Sequence, residues 1–465
     1  MSILPVVLWT DGLLFALLAA LVATGFYVRR RDYLMASWRR VAGSSMGMSA
    51  ATVLALFVTV GFLDSLHYRD KVEGGAWSVE VVSVLDALAS PLRLHVEKTY
   101  SAPLAWRLFS KETIEKPDGS QVRDYPRLKW GGAHLKAPAE QLDGDVLGSL
   151  LLAEAAALAG WLLLVAAVST GLARTQGLAQ AEAWRRLWRG ATPSAWRAVL
   201  LTLAVMLFLL VPALALCGQY HIFGTDKVGL DVFYLTLKSI RTALVIGTLT
   251  TLVTLPFAVA LGILAGFVGG WVDDLIQYVY TTLNSIPGVL LIAAAVLMMQ
   301  VVIDTHPQWF ATAAERADAR LLALCVILGI TSWTGLCRLL RGETLKLREL
   351  EFIQAARAFG VPAAGIMLRH ILPNLMHIVL ISLVMDFSGL VLAEAVLSYV
   401  GIGVDPGTTS FGTMINAARM ELAREPAVWW SLVAAFSFML TLVLAANLFA
   451  DAVRDAFDPR LRSRT

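Results

Sequence analysis

Nine apolar runs, each about 20 residues long, recur along the chain. A run of that length can cross the hydrocarbon core of a bilayer as a helix. Charged residues make up only 16% of the sequence, against roughly 25% in soluble domains. The pattern predicts an all-α polytopic membrane protein. The runs lie at about 8–28, 45–64, 147–171, 197–217, 242–266, 275–303, 320–339, 374–398 and 428–450.

The distribution of basic residues predicts the orientation of these runs, because lysine and arginine are retained on the cytoplasmic side. Placing the basic stretches 29–40, 174–197 and 338–369 and the C-terminal tail in the cytoplasm alternates correctly with nine spans. The first run has no basic region before it, so we interpret it as a retained anchor with its N-terminus outside. The three cysteines have no ligand or disulfide spacing, and nothing favours nucleic-acid binding.

A glycine- and aspartate-rich turn precedes the fifth run. Its characteristic residues are His221, Phe223, Gly224, Thr225, Asp226, Gly229 and Asp231. Asp226 and Asp231 are placed to cap a helix that begins near Val232. A metal site built from one histidine and two aspartates is the alternative. We favour the turn and cap, because no further ligand follows at suitable spacing.

A polar island at 343–372 separates two apolar runs and has the pattern of two short helices. The first helix, 349–359, is predicted to place four side chains on one face: Phe352, Ala355, Ala356 and Phe359. Gly360 is a stop signal, and Pro362 begins a second helix that runs to Pro373. The arrangement predicts a knob that fits a groove on another protein. An amphipathic segment resting on lipid headgroups is the alternative.

Both segments resemble permease subunits of ATP-binding-cassette (ABC) importers of the dipeptide, oligopeptide and nickel type. The turn is similar to the family's His-Pro-Phe-Gly-Thr-Asp segment, with Ile222 replacing the proline. The island is similar to the cytoplasmic loop on which a separate ATPase subunit acts. The residues implied in ATPase coupling are Glu351, Gln354, Ala355, Ala356, Arg357, Gly360, Leu372 and Pro373. Gln354 replaces the family's usual glutamate, and Glu351, one turn earlier, is the candidate to supply that charge.

The resemblance covers about 221–465 and implies how the chain is divided. Residues 218–465 form an ABC permease core of about five to six spanning helices, with the coupling loop at 343–372. Before it come N-terminal spanning helices at 1–65, an extracytoplasmic segment at 66–146 and additional spanning helices at 147–217. The extracytoplasmic segment has recurring aromatic residues and a turn signal at 117–120, which indicates a small folded element. We favour a structural cap or subunit contact for it; contact with a substrate-delivery protein is the alternative.

The resemblance also implies the function and the partners. The chain would be a permease subunit in a bacterial inner membrane, forming half of a path for peptides or a related small solute. The implied partners are a second related permease, two ATPase subunits and an extracytoplasmic solute-binding protein, within the lipid bilayer. The chain has no phosphate-binding loop, so ATP and magnesium are expected on the ATPase, with no cofactor, metal or catalytic residue here. A secondary transporter or channel-like protein not driven by ATP is the alternative, although the inverted repeats of secondary transporters are not visible.

Two carboxylates, Asp386 and Glu394, fall in the eighth run. Intramembrane carboxylates are costly and usually face a cavity or a partner, which makes both residues candidates for the translocation path. Glu394 belongs to the pattern shared with the family, and we favour a structural role for it. Two roles for Asp386 stay open: it favours a cationic group of the solute, or it pairs with a helix of the partner permease.

Overall fold

The computed structural model describes residues 3–71, 77–115, 121–405 and 407–457. The helices, in chain order, are α1 (Trp9–Arg29), α2 (Asp32–Gly43), α3 (Ser45–Ser65), α4 (Val84–Leu88), α5 (Ser90–Leu94), α6 (Pro138–Gln176), α7 (Gln180–Arg189), α8 (Trp196–Leu216), α9 (Val232–Val268), α10 (Gly270–Ser285), α11 (Gly288–Thr305), α12 (Ala313–Arg348), α13 (Glu351–Ala358), α14 (Ala363–Ile366), α15 (Leu372–Tyr399), α16 (Phe411–Glu421) and α17 (Trp430–Phe457). A π-helical turn, Met367–Ile371, joins α14 to α15 as one helix.

Nine helices among the described residues are long and apolar enough to cross a membrane. They are α1, α3, α6, α8, α9, α11, α12, the continuous helix Ala363–Tyr399, and α17. The prediction of an all-α polytopic membrane protein is therefore confirmed. The sixth predicted run is split, because α10 ends at Ser285 and α11 begins at Gly288, after Pro287. Proline cannot donate the backbone hydrogen bond that would continue the helix.

Short strands accompany the helices in two small sheets of the described residues. The strands are β1 (Ile3–Val6), β2 (His67–Asp70), β3 (Val82–Ser83), β4 (Glu112–Glu115) and β5 (Gln121–Asp124). The first three pair in the order β1-β2-β3, and β4 pairs antiparallel with β5. The turn predicted at 117–120 lies outside the described residues. Strands and short helices lie among the described residues between 67 and 124, in the segment predicted to be extracytoplasmic.

The chain divides into two compact units, the first made of Met1–Val6, Met35–Arg241 and Thr409–Leu448. Within it, α8 packs between α6 and α3. A cluster of charged side chains joins α3 to the first turns of α9. The Lys238 ammonium lies 2.5 Å from Oδ1 of Asp64 and 3.1 Å from Oδ1 of Asp86, and the Tyr234 hydroxyl donates to Asp86 at 2.7 Å. These contacts tie the N-terminal helices to the start of the core.

The second unit comprises Val7–Leu34, Thr242–Thr408 and Phe449–Thr465. Its α1 is fastened to α12, where the backbone N–H and the hydroxyl of Thr10 both donate to the buried carboxylate of Asp318. A Cβ at Gly266 of α9 would lie 2.7 Å from the Arg341 carbonyl oxygen of α12, so the glycine permits close packing of the two backbones. Arg341 also makes a bidentate ion pair with Asp273 of α10, at 2.5 and 2.6 Å. The ion pair stabilises the C-terminal end of α12, from which the predicted coupling loop extends.

Candidate functional site

The turn at 221–231 has the conformation that its sequence predicts. Thr225 and Asp231 face each other in an antiparallel bridge. The Asp231 carboxylate accepts from the backbone N–H groups of Phe233 at 2.8 Å and Tyr234 at 3.2 Å. Asp231 therefore caps α9, as predicted. The other aspartate does not.

Asp226 orders the turn itself. Its Oδ1 accepts from the backbone N–H groups of Val228 at 2.9 Å and Leu230 at 2.8 Å, both before α9 begins. The prediction of two caps was therefore right for Asp231 and wrong for Asp226. The difference follows from distance along the chain, because an N-cap side chain reaches only the first turn of its helix.

His221 is buried between two carboxylates. Its Nδ1 lies 2.7 Å from Oδ2 of Asp231, and its Nε2 lies 3.5 Å from Oε1 of Glu97. Burial lowers the pKa of His221, but the hydrogen bond to Asp231 and the nearby carboxylate of Glu97 outweigh burial and raise its pKa to about 9. Both imidazole nitrogens thus face protein carboxylates, which is the environment of a structural imidazolium.

Glu97 connects the segment predicted to be extracytoplasmic to this turn, and sequence reasoning missed it. Its carboxylate accepts from the backbone N–H groups of Lys129 at 2.9 Å, Trp130 at 2.7 Å and Gly131 at 3.1 Å. Burial raises the pKa of Glu97, but His221 and these N–H groups outweigh burial and lower its pKa to about 2. No local pattern marks Glu97, because its partners are distant in sequence.

The motif glycines are required by close contact with the same segment. Gly229 has φ 83°, and its carbonyl oxygen accepts from the Glu97 N–H at 2.9 Å. A Cβ at Gly229 would lie 1.9 Å from the Glu97 carbonyl oxygen, and one at Gly224 would lie 2.3 Å from the Ser101 carbonyl oxygen. Thr225 also donates to Thr99 at 2.8 Å, while the half-buried Phe223 packs in the cluster around Phe233. The turn is a docking point for residues 97–101.

In the second unit, the first helix of the predicted coupling loop is α13, and it projects an apolar face. Ile353 is fully buried, whereas Phe352 is 46% and Phe359 88% exposed. Ala355 is exposed beside the two phenylalanines, but Ala356 is half-buried on the inner side. The predicted face was thus right for Phe352, Ala355 and Phe359 and wrong for Ala356, because Ile353 selects the side that packs inward.

Contacts at both ends hold α13 in place. The Arg357 guanidinium lies 4.6 Å from the centre of the Phe267 ring, at the end of α9. The Gln354 side chain donates to the Glu349 carbonyl oxygen at 3.1 Å, and Glu351 lies exposed in the first turn. Gly360 has φ 76°, the left-handed conformation that ends a helix.

The second predicted helix begins where expected and does not end at Pro373. Pro362 is the N-cap residue of α14, and the helix then continues without a break to Tyr399. Leu372 is half-buried and Pro373 exposed at the start of α15. The π-helical turn before them explains the continuity, because its wider hydrogen-bonding pattern accommodates a residue without an N–H. The predicted coupling loop therefore leads directly into a helix that is long and apolar enough to cross a membrane.

Asp386 and Glu394 lie on α15 but are not brought together. Glu394 is 1% exposed, and its Oε1 accepts from the Ser398 hydroxyl at 2.6 Å. Asp386 is half-buried near the middle of α15 and makes no hydrogen bond or ion pair within the residues that the structure describes. Eight residues correspond to about 80° beyond two full turns, so the two carboxylates point in different directions.

Comparison with known proteins gives the family. Residues 258–463 match the model of the binding-protein-dependent transport system inner membrane component. The oligopeptide transport system permease protein OppC of Mycobacterium tuberculosis is 30% identical over 246 residues, 53% of this chain and 78% of the relative. The chain belongs to this family. It is a permease subunit of an ABC importer, which confirms the main prediction over a secondary transporter or channel.

Two further relatives of this ABC permease are also named as permease proteins of transport systems. The glutathione transport system permease protein GsiD of Pectobacterium atrosepticum is 32% identical over 243 residues, 52% of this chain and 74% of the relative. The dipeptide transport system permease protein DppC of Bacillus subtilis is 28% identical over 294 residues, 60% of this chain and 86% of the relative. The helices α1 to α8 precede the residues that match the family model.

Proposed function

We propose that this ABC permease imports peptides or closely related small solutes across a bacterial inner membrane. Relatives named for oligopeptide, dipeptide and glutathione transport support this class of solute. A second related permease completes the path, and a solute-binding protein delivers the solute from outside. Two ATPase subunits bind ATP and magnesium, so this chain holds no cofactor, metal or catalytic residue.

The exposed face of α13 carries the proposal for energy coupling. Phe352, Ala355 and Phe359 form an apolar surface on a short helix whose opposite side is anchored by Ile353. An amphipathic helix that presents such a face suits a groove on a partner protein. Because the loop continues as the spanning helix Ala363–Tyr399, movement of α13 is transmitted to the membrane. Gly360, Leu372 and Pro373 lie along this connection.

Glu351 is the charged contact of the coupling surface in this proposal. Gln354 has no charge, and its amide is directed at the Glu349 carbonyl oxygen. Glu351 lies exposed one turn earlier. We expect Glu351→Lys to uncouple ATP hydrolysis from transport, whereas Gln354→Glu should leave coupling intact or strengthen it.

Asp386 is the solute-recognition residue in this proposal. A half-buried, unpaired carboxylate near the middle of a spanning helix is costly in lipid and is stable where it faces a path or a partner. An ionised carboxylate attracts the ammonium group that every free peptide carries. Glu394 is engaged by Ser398 and supports the helix from its buried side.

Reconstitution of the assembled transporter tests the proposed function. We would purify the chain with its partner subunits, place the complex in proteoliposomes and measure uptake of a labelled tripeptide. Uptake should require ATP, and Asp386→Asn should raise the peptide concentration needed for half-maximal uptake. Pairing of Asp386 with the second permease would instead reduce assembly, seen as loss of that subunit on purification. Uptake without nucleotide, or inhibition by nickel ions but not by peptides, would contradict the proposal.

A further inference from the structure

The short helix α7 packs along α6 through one face only. Ala183 and Leu187 are buried, with Leu187 completely inaccessible. The Gln180 side chain donates to the Ser169 hydroxyl at 2.9 Å, which places the start of α7 beside the last turns of α6. Gly177, with φ 63°, ends α6 and lets the chain reverse. The remaining face of α7 is exposed.

Tryptophan contacts place the end of α7 at the level where α8 begins. Trp161 of α6 donates through Nε1 to the Leu200 carbonyl oxygen of α8 at 2.9 Å. The Trp188 ring lies 6.1 Å from the Trp161 ring and 5.9 Å from the Trp184 ring. Because α8 is apolar beyond Arg197 and is long enough to cross a membrane, we expect the boundary between hydrocarbon and headgroups at this level. Tryptophan is enriched at that boundary.

Three arginines at the same level have exposed guanidinium groups. Arg185 and Arg189 lie on the outer face of α7, and Arg197 lies in the first turn of α8. None of the three is paired with a carboxylate among the described residues. In contrast, Arg186 of the same helix is paired with Glu182 at 2.6 Å. The surface beside the start of α8 therefore carries three exposed arginines that have no carboxylate partner among the described residues.

We propose that Arg185, Arg189 and Arg197 bind the phosphate groups of anionic phospholipids in the cytoplasmic leaflet. The guanidinium fork matches a phosphate geometrically, and anionic leaflets attract basic residues near their surface. The exposed side of Trp184 fits among the glycerol and acyl regions, next to the bound phosphate. The helices α6 to α8 precede the residues that match the family model, so this anchor lies outside the matched part of the chain.

Titration of the purified full chain with phosphatidylglycerol or phosphatidylcholine, with bound lipid counted by native mass spectrometry, tests the proposal. We expect phosphatidylglycerol to bind more tightly. The variant Arg185→Gln/Arg189→Gln/Arg197→Gln should lose that preference. We expect the ratio of the affinities for phosphatidylglycerol and phosphatidylcholine to fall by about fivefold for each arginine removed. Replacement of the same three residues by lysine should retain most of it, because the charge is kept.

The ion pair on α7 provides a matched control. Glu182→Gln/Arg186→Gln removes two charges from the same helix without changing its net charge and should keep the preference. A glutamine triple variant that still prefers phosphatidylglycerol would overturn the proposal, as would an equal loss in the control. If the triple variant fails to fold, the salt dependence of lipid binding by the unmodified chain tests the proposal. The preference for phosphatidylglycerol should weaken as salt is raised, and a salt-independent preference would overturn the proposal.

Discussion

Nδ1 of His221 lies 2.7 Å from Oδ2 of Asp231, and this contact joins the first residue of the motif turn to its last. The same Asp231 carboxylate caps α9 through its other oxygen, which accepts from Phe233. Nε2 of the same imidazole lies 3.5 Å from Oε1 of Glu97, which belongs to the segment predicted to be extracytoplasmic. One buried cation therefore holds together the turn, the helix cap and residues 97–101.

This arrangement predicts a specific pH dependence for the docked turn. The pKa of His221 is raised from 6.5 to about 9, so its contribution is complete below pH 6.5 and is lost as pH rises through 9. The pKa of Glu97 is lowered from 4.5 to about 2, so its contribution is present above pH 4.5 and is lost as pH falls through 2. Hydrogen exchange at the amides of Lys129 and Gly131, corrected for intrinsic rates, should be slowest between these limits.

His221→Gln is the control for the loss of amide protection that we expect as pH rises through 9. The variant should exchange faster at pH 6 and show no further loss of protection between pH 7 and pH 10. If His221→Gln still lost amide protection as pH rose through 9, the titrating group would be a residue other than His221.

Gly229 is expected to tolerate no side chain. In Gly229→Ala the Cβ would meet the Glu97 carbonyl oxygen at 1.9 Å, and φ is 83°. The left-handed conformation alone costs about 1–2 kcal/mol for alanine, and the clash adds to it. We expect a lower thermal midpoint for the purified protein. Gly218→Ala is the matched control, because its Cβ would meet nothing within 4 Å, and an equal loss there would contradict the contact argument.

Features that depend on residues close together in the chain could be predicted from the sequence, and contacts between distant residues could not. Most of the spans, the stop at Gly360 and the cap by Asp231 are encoded by adjacent residues, and sequence alone located them. The pairs Glu97–His221 and Asp64–Lys238 join residues far apart in the chain, so no local sequence pattern predicts them. The predicted face of α13 was wrong for Ala356 for a related reason: Ile353, Ala356 and Phe359 are all apolar, and only the tertiary core shows which of them packs inward.

Lys238 is expected to be essential for attaching α3 to α9. Lys238→Met would leave the buried carboxylates of Asp64 and Asp86 without their shared cation. Removing one partner from a buried ion pair costs about 3–5 kcal/mol. We expect a large drop in the denaturant midpoint of the purified chain, partly recovered in Asp64→Asn/Lys238→Met because one uncompensated charge is gone. Asp64 also accepts from the Ser83 hydroxyl at 2.7 Å, a bond that the asparagine oxygen can keep, so a double variant less stable than Lys238→Met would contradict the charge argument.

Ile353 and Phe359 separate folding of the coupling loop from its action. Ile353→Ala removes a fully buried side chain and should destabilise the loop by about 2–5 kcal/mol, seen as faster hydrogen exchange across α13. Phe359 is 88% exposed, so Phe359→Ala should leave exchange unchanged and reduce ATP-driven uptake by the assembled transporter. Met420→Ala, which alters an apolar residue 69% exposed on α16, should change neither quantity. If Phe359→Ala retained full uptake, the outward face of α13 would not be the surface on which the ATPase acts, and the lipid headgroups would remain as its partner.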